Sequence, residues 1–313
     1  MDNSNNNIIS SKIDTLFIKF PIIFPLVYFV ILYSLPNFEY YLVFFTLLLL
    51  AEPHFGATWP FFLSKMNKSI ILKDKLIYII IPISIIFFSI YLFIFFDTLF
   101  YLLFFLFNIF HVTRQSVGIS KLYEKIKNKN AYINCSVYFF AAFFFLIGII
   151  RFYFNNFDLN IESKLILISS VLLIINFILF IYLFKSMKNF VVLITGTIMF
   201  FPISFVEAPI HGIIMGVTMH YTQYLALTYK VVSKRKGLNI FGKIINYEYL
   251  IIILTYGLVM SLLSLTNKID HEFIKYLIVV PILGQLVHFY LDGLLWRFSK
   301  SHNREVTLKY LID

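Results

Sequence analysis

The chain holds a single cysteine, Cys135, among its 313 residues. One thiol excludes an internal disulfide, and it excludes a zinc or iron–sulfur site built on thiolates. Cys135 itself reads as a small apolar core residue. Charge is scarce as well: 13% of residues are Asp, Glu, Lys or Arg, about half the share of a soluble domain. Acids are the rarer sign, 16 against 26 basic residues, leaving a net charge of +10. The positive residues are mostly lysines of short loops, so nucleic acid is not an expected partner. No segment is long enough for a separate soluble domain. No small-residue cleavage site follows the first apolar run, so removal of a signal peptide is not expected either.

What fills the chain is apolar: 60% of residues are hydrophobic, with 39 Phe and 21 Tyr. They come in long runs such as 75–96, and about 20 apolar residues suffice to cross a bilayer. The sequence therefore predicts an all-α, polytopic transmembrane helix bundle, an integral protein of the cell (inner) membrane. We expect a polar tail over 1–14, a transmembrane domain over 15–298 and a cytoplasmic tail over 299–313. The domain divides into ten expected spans: 15–36, 39–64, 75–96, 98–119, 132–151, 164–184, 189–206, 207–228, 249–266 and 276–298. Pro202, Glu207 and Pro209 break the apolar run between the seventh and the eighth.

The loops orient these spans. Alternate loops carry Lys65, Lys68, Lys73 and Lys75; Lys121, Lys125, Lys127 and Lys129; Lys185 and Lys188; Lys230, Lys234, Arg235, Lys236 and Lys243; and Arg297, Lys300, Arg304 and Lys309. The opposite loops hold Arg151, Lys164, Lys268 and Lys275. Nineteen positive residues against four set the first group of loops inside, with both termini cytoplasmic.

Four histidines, His54, His111, His220 and His288, then fall in four spans that run from outside to inside. They lie ten, eight, eight and ten residues from the inner ends of those spans. At about 1.5 Å per residue, all four sit roughly 12–15 Å from the cytoplasmic boundary. A lone histidine in a membrane helix is more often an interhelical hydrogen bond than a ligand. Four at one depth point instead to a metal site, because intramembrane ionisable groups are costly and mark function. An imidazole-rich site without thiols suits Fe, Zn, Cu or Ni, and the residues do not choose among them.

Polar neighbours accompany each histidine. The second span reads Ala51-Glu52-Pro53-His54-Phe55-Gly56-Ala57-Thr58-Trp59-Pro60. Its prolines kink the helix, Gly56 admits a close neighbour, and Glu52 is a candidate to hold the site or its protons. Gln115 follows His111 by four residues, on the same face, where it can orient a ligand. Arg114 is expected to snorkel to the interface. His288 and Asp292 share a face at the same spacing, with Asp292 either a ligand or the acceptor that fixes a ligand's tautomer. Trp296 and Arg297 read as interfacial anchors. His211 is nine residues from His220, roughly 13 Å along a straight helix, so the two cannot share an ion. His211 and Glu207 read as a separate pair near the outer surface, a local hydrogen bond or a proton element. His271 and His302 read as solvated loop residues.

These motifs resemble those of the Brp/Blh family, the bacterial and archaeal membrane β-carotene 15,15′-dioxygenases. Pro53-His54 is similar to the family's early Pro-His-Gly-Ala motif, and His111 stands at a family-like separation. His288-Phe289-Tyr290-Leu291-Asp292, followed by Trp296-Arg297, is similar to the late His-x-x-x-Asp motif. Phe55 interrupts the first motif and Thr58 replaces an acid of the family. Tyr224 stands four residues after His220, where the family shows a second histidine, and the span before His54 is additional. The resemblance covers residues 45–305. It implies an Fe(II) centre held by His54, His111, His220 and His288 that cleaves a carotenoid with dioxygen, β-carotene giving retinal. Asp292, Glu52, Gln115 and Tyr224 are the expected catalytic residues beside it.

Two other classes fit some of the same residues. A lipid hydroxylase or desaturase with two metals would act on a similar lipophilic substrate, although clustered His-x-x-His pairs are absent from the chain. A proton-coupled transporter would relay protons through Glu52, Glu207, His211 and Asp292.

Overall fold

The computed structural model describes residues 7–123, 131–153, 159–184, 190–235, 245–266 and 274–312. His271 and loop lysines 125, 127, 129, 185, 188, 236, 243 and 268 lie outside them. Every element among the described residues is helical. Seven helices are long and apolar enough to cross a membrane: Pro36–Phe62, Leu76–Phe95, Asp97–Tyr123, Asn134–Arg151, Ile161–Tyr182, Tyr247–Ser264 and Tyr276–Leu295. An eighth candidate is the pair Ser11–Lys19 and Ile23–Ser34, bent by 56°. The break falls at Pro21, whose ring nitrogen has no hydrogen to continue the ladder. Seven such helices make the chain an integral membrane protein.

The other two expected crossings differ from the rest. The apolar helix ending at Ser204 starts only at Phe190. Helix Pro209–Lys234 is long enough, but it is too polar to pass as a span. Thr218, His220, Thr222, Gln223 and Thr228 are all buried on it, so it turns protein, rather than lipid, toward its polar face.

The chain divides into two compact units, Met1–Val43 with Ile109–Gln223, and Phe44–Asn108 with Tyr224–Asp313. In the first, Tyr28, Val206, Ile214 and Met215 form a buried cluster under Leu32, Leu42, Val43 and Phe205. Gly216 lies against the backbone carbonyl of Met199, where any Cβ would clash. Arg151 ties the top of its helix to Glu162 at 2.8 Å and to the Val206 carbonyl at 2.9 Å. Within the polar N-terminal segment, residues from Ile8 onward pack against the rest of this unit. Asp14 is fully buried and accepts from the backbone N–H of Ile8 (2.6 Å) and Ile9 (2.9 Å) and from the Tyr123 hydroxyl (2.8 Å). Helix Leu159–Phe184 instead presents Leu167, Ile174, Ile178 and Tyr182 outward, an apolar stripe at helical spacing that suits lipid.

Cys135 is also exposed, which corrects its expected place in the core. Its helix, Ala131–Tyr153, belongs to a chain whose outer solvent is apolar, and a thiol there costs little.

In the second unit the span Pro36–Phe62 runs through Leu47–Ala51, Glu52–Gly56 and Thr58–Phe62. Only Ala57 leaves the regular pattern, and its N–H still donates to the Pro53 carbonyl at 2.9 Å, so the helix continues past the prolines. Glycines let the helix Ile245–Ser264 approach it. A Cβ on Gly56 would fall 2.9 Å from the Tyr256 ring, and one on Gly257 would fall 2.9 Å from Pro53. Each glycine makes room for a bulky residue of the other helix, and small residues at such interfaces let membrane helices pack closely. The C-terminal segment is folded too: Val306, Thr307, Leu308 and Leu311 are buried. The Arg235 guanidinium donates to the Val306 carbonyl and, at 3.0 Å, to Thr307 Oγ1.

Candidate functional site

The second unit carries one polar cluster around Thr58. His54 comes from the short helix Glu52–Gly56, and Thr58 opens the next one, four residues on. His288 and Asp292 come from one face of Val279–Leu295. The rings of His54 and His288 lie 4.6 Å apart, centroid to centroid, and the Tyr224 ring lies 4.6 Å from His54. His54, Thr58 and His288 have no exposed surface, and Asp292 has 6%.

Thr58 is the hub. Its Oγ1 lies 2.7 Å from His288 Nδ1, 2.8 Å from Asp292 Oδ1 and 2.8 Å from the Tyr224 hydroxyl. Tyr224 donates to Asp292 Oδ1 at 2.7 Å, and Trp296 Nε1 points at the Tyr224 oxygen from 3.4 Å. Thr58 gives its one hydrogen to Asp292, as Tyr224 does, and accepts at a lone pair from His288 in the tautomer protonated on Nδ1. His288 then carries its proton on Nδ1 and its lone pair on Nε2. That is the tautomer a metal ligand needs, with the other ring nitrogen fixed by a neighbour. Asp292 Oδ2 lies 3.7 Å from this Nε2. Asp292 thus sits as a hydrogen-bond acceptor first, through two hydroxyls.

The first unit carries the other two histidines. His111 and His220 meet edge to face at 5.1 Å, with 8% and 1% exposure. Gln115 does not bond the His111 ring, as its spacing had led us to expect. Its amide donates to the backbone carbonyl of His220 at 3.2 Å. It therefore ties one histidine-bearing helix to the other instead of orienting a ring. Arg114 is exposed, its guanidinium 5.9 Å from the Phe110 ring, as expected of a snorkelling side chain.

His211 belongs to a different set. Its Nδ1 lies 2.7 Å from the Tyr28 hydroxyl and its Nε2 2.8 Å from Glu39. Glu39, and not the exposed Glu207, is its carboxylate partner, because the bent N-terminal pair and the residues after it carry Tyr28 and Glu39 to its side. Glu52 is fully buried, with one oxygen 3.4 Å from the Gln285 amide and the other without a hydrogen bond. Its partner is thus on the tenth expected span, one turn before His288. His302 is not a solvated loop residue: its Nε2 lies 2.8 Å from Asn67 Oδ1, and Asn67 donates to the Phe61 carbonyl. Trp296 is more than an anchor, since its ring packs on Tyr224 at 5.6 Å. Arg297 is exposed, as an anchor should be.

Thr58 is the residue that sequence reasoning passed over, noted only as a departure from a family pattern. Its signal was there: it follows His54 by four residues, on the same helical face. Glu39 and Tyr28 had no such signal, being 172 and 183 residues from His211.

Compared with protein-family models, with characterised proteins and with solved structures, the chain matches none.

Proposed function

We propose that the protein is a membrane-embedded non-haem iron oxygenase acting on a lipophilic isoprenoid, by oxidative cleavage of a carotenoid such as β-carotene. The observation that carries the metal is the pair His54 and His288, both buried, with Thr58 holding one ring nitrogen of His288. Burying imidazoles is costly without partners of matching chemistry, and the His288 tautomer leaves Nε2 as the nitrogen able to ligate. His111 and His220 are a second buried imidazole pair. The carotenoid substrate rests on the resemblance of Pro53-His54, His111 and His288–Asp292 to the Brp/Blh motifs.

The donor set fits iron: imidazoles with one adjacent carboxylate and no thiolate. Fe(II) would be held by His54, His111, His220 and His288. That all four share one ion rests on their common depth in the sequence. Bound iron would supply the activation of dioxygen. Around it, Asp292 and Thr58 keep the His288 ring in place. Tyr224 presents a hydroxyl already engaged to Asp292, so it can hold or return a proton at that carboxylate. Burial of His54, Thr58 and His288 keeps water from the site. The ten-span arrangement with cytoplasmic termini, in the cell inner membrane, belongs to the same proposal and rests on the asymmetry of loop charge.

A two-metal lipid hydroxylase is the second reading, since each unit holds a buried imidazole pair of its own. Metal content separates the two. One iron per chain in protein purified in detergent, lost in His111→Ala together with loss of carotenoid colour change in pigment-producing cells, supports the first. A ratio near two supports the second. Protein that takes up no iron under anaerobic Fe(II) overturns both.

A further inference from the structure

The second unit contains a cavity of about 430 Å³ that the metal proposal does not use. Its wall is formed by Trp59 and Leu63 at the end of the span Pro36–Phe62, Tyr78 and Ile83 on the next span, and Leu291 on Val279–Leu295. The lining is almost wholly apolar. Among the described residues that form it, Lys68 is charged and no acid accompanies it. Lys68 is exposed and lies on the short helix Lys65–Lys73, between the spans Pro36–Phe62 and Leu76–Phe95. It therefore stands beyond the apolar stretch, where its ammonium can stay hydrated while its stem covers apolar surface.

We propose that this cavity binds one chain of a carboxylate-headed lipid, a free fatty acid, with the carboxylate against Lys68 and the chain along Trp59, Tyr78 and Ile83. The volume lies at the small end of ligand sites and suits one chain better than the two of a phospholipid. Lys68 is the charged residue of the lining, and Asp74, near enough to act on Tyr78, stands outside it, so the site offers one cation to a head group carrying one negative charge. The cavity and its lysine stand whether or not an ion is bound, so failure here leaves the metal proposal untouched.

Trp59 makes the site measurable, because the chain has only two tryptophans, Trp59 and Trp296. In Trp296→Phe, titration with dibrominated stearic acid should quench Trp59 fluorescence saturably. The uncharged methyl ester should bind about two- to fivefold more weakly, the scale of one exposed ion pair. Lys68→Gln should erase that difference. Quenching that rises without saturating, equal binding of acid and ester, or a preference that survives Lys68→Gln would each overturn the proposal. Should Trp296→Phe fail to fold, the same titration on the unmodified protein and on Trp59→Phe decides it, since saturable quenching must vanish in the latter.

Discussion

Replacing Thr58 by valine keeps the shape of the side chain and removes its hydroxyl. In the native cluster that hydroxyl accepts from His288 Nδ1 at 2.7 Å and donates to Asp292 at 2.8 Å. The valine leaves a ring N–H without its acceptor in a site with no exposed surface at Thr58 or His288. An orphaned buried donor costs about 1–3 kcal/mol. If iron binds at Nε2, part of that cost appears as lost affinity, because the ring is no longer held in the ligating tautomer. Loss of a group that orients a metal ligand weakens binding about 10–100-fold, equivalent to about 1.4–2.8 kcal/mol. The two ranges agree, so the prediction is quantitative. In anaerobic Fe(II) titration against a competing chelator, Thr58→Val should lose about 10–100-fold in affinity, and Thr58→Ser should keep most of it. Equal affinity in wild type and Thr58→Val would refute the assignment of the His288 proton, and with it the reason for calling Thr58 a hub.

Three further outcomes follow from particular contacts. His211→Ala should retain full iron occupancy, measured by elemental analysis, because both ring nitrogens are engaged by Tyr28 and Glu39; iron loss would join that set to the metal site. Gly257→Val should lower the thermal midpoint in detergent, since even a Cβ would sit 2.9 Å from Pro53 and 3.0 Å from the Leu48 carbonyl, and overpacking costs about 1–3 kcal/mol. Asp14→Ala should also lower that midpoint, as three donors lose a buried acceptor; an unchanged midpoint would show that the N-terminal fold adds nothing to stability.

Much of the fold was legible because lipid imposes simple rules. Runs of about 20 apolar residues must be helices when no water can satisfy the backbone, and seven of the expected spans are helices long and apolar enough to cross. Pro209–Lys234 shows where hydropathy fails: a helix with a face buried in protein can carry Thr, Gln and His that lipid would reject. Cys135 failed for the opposite reason, since in a membrane the outside is as apolar as the core. The pairings His54–His288 and His111–His220 could be suspected from depth, but not Thr58, whose hydroxyl only gains meaning once two helices face each other. Gln115 and His211 were misplaced because face and spacing describe one helix, and their partners come from others. Glu39 lies 172 residues from His211, beyond the reach of any periodicity.

Iron content across single-histidine variants tests the central claim most directly. Wild-type protein and His54→Ala, His111→Ala, His220→Ala and His288→Ala, each purified in detergent and reconstituted anaerobically with Fe(II), should be assayed for bound iron per folded chain. One ion in the wild type, lost in every variant, is the expected result. Full occupancy in His54→Ala and His288→Ala, with folding intact, would contradict it.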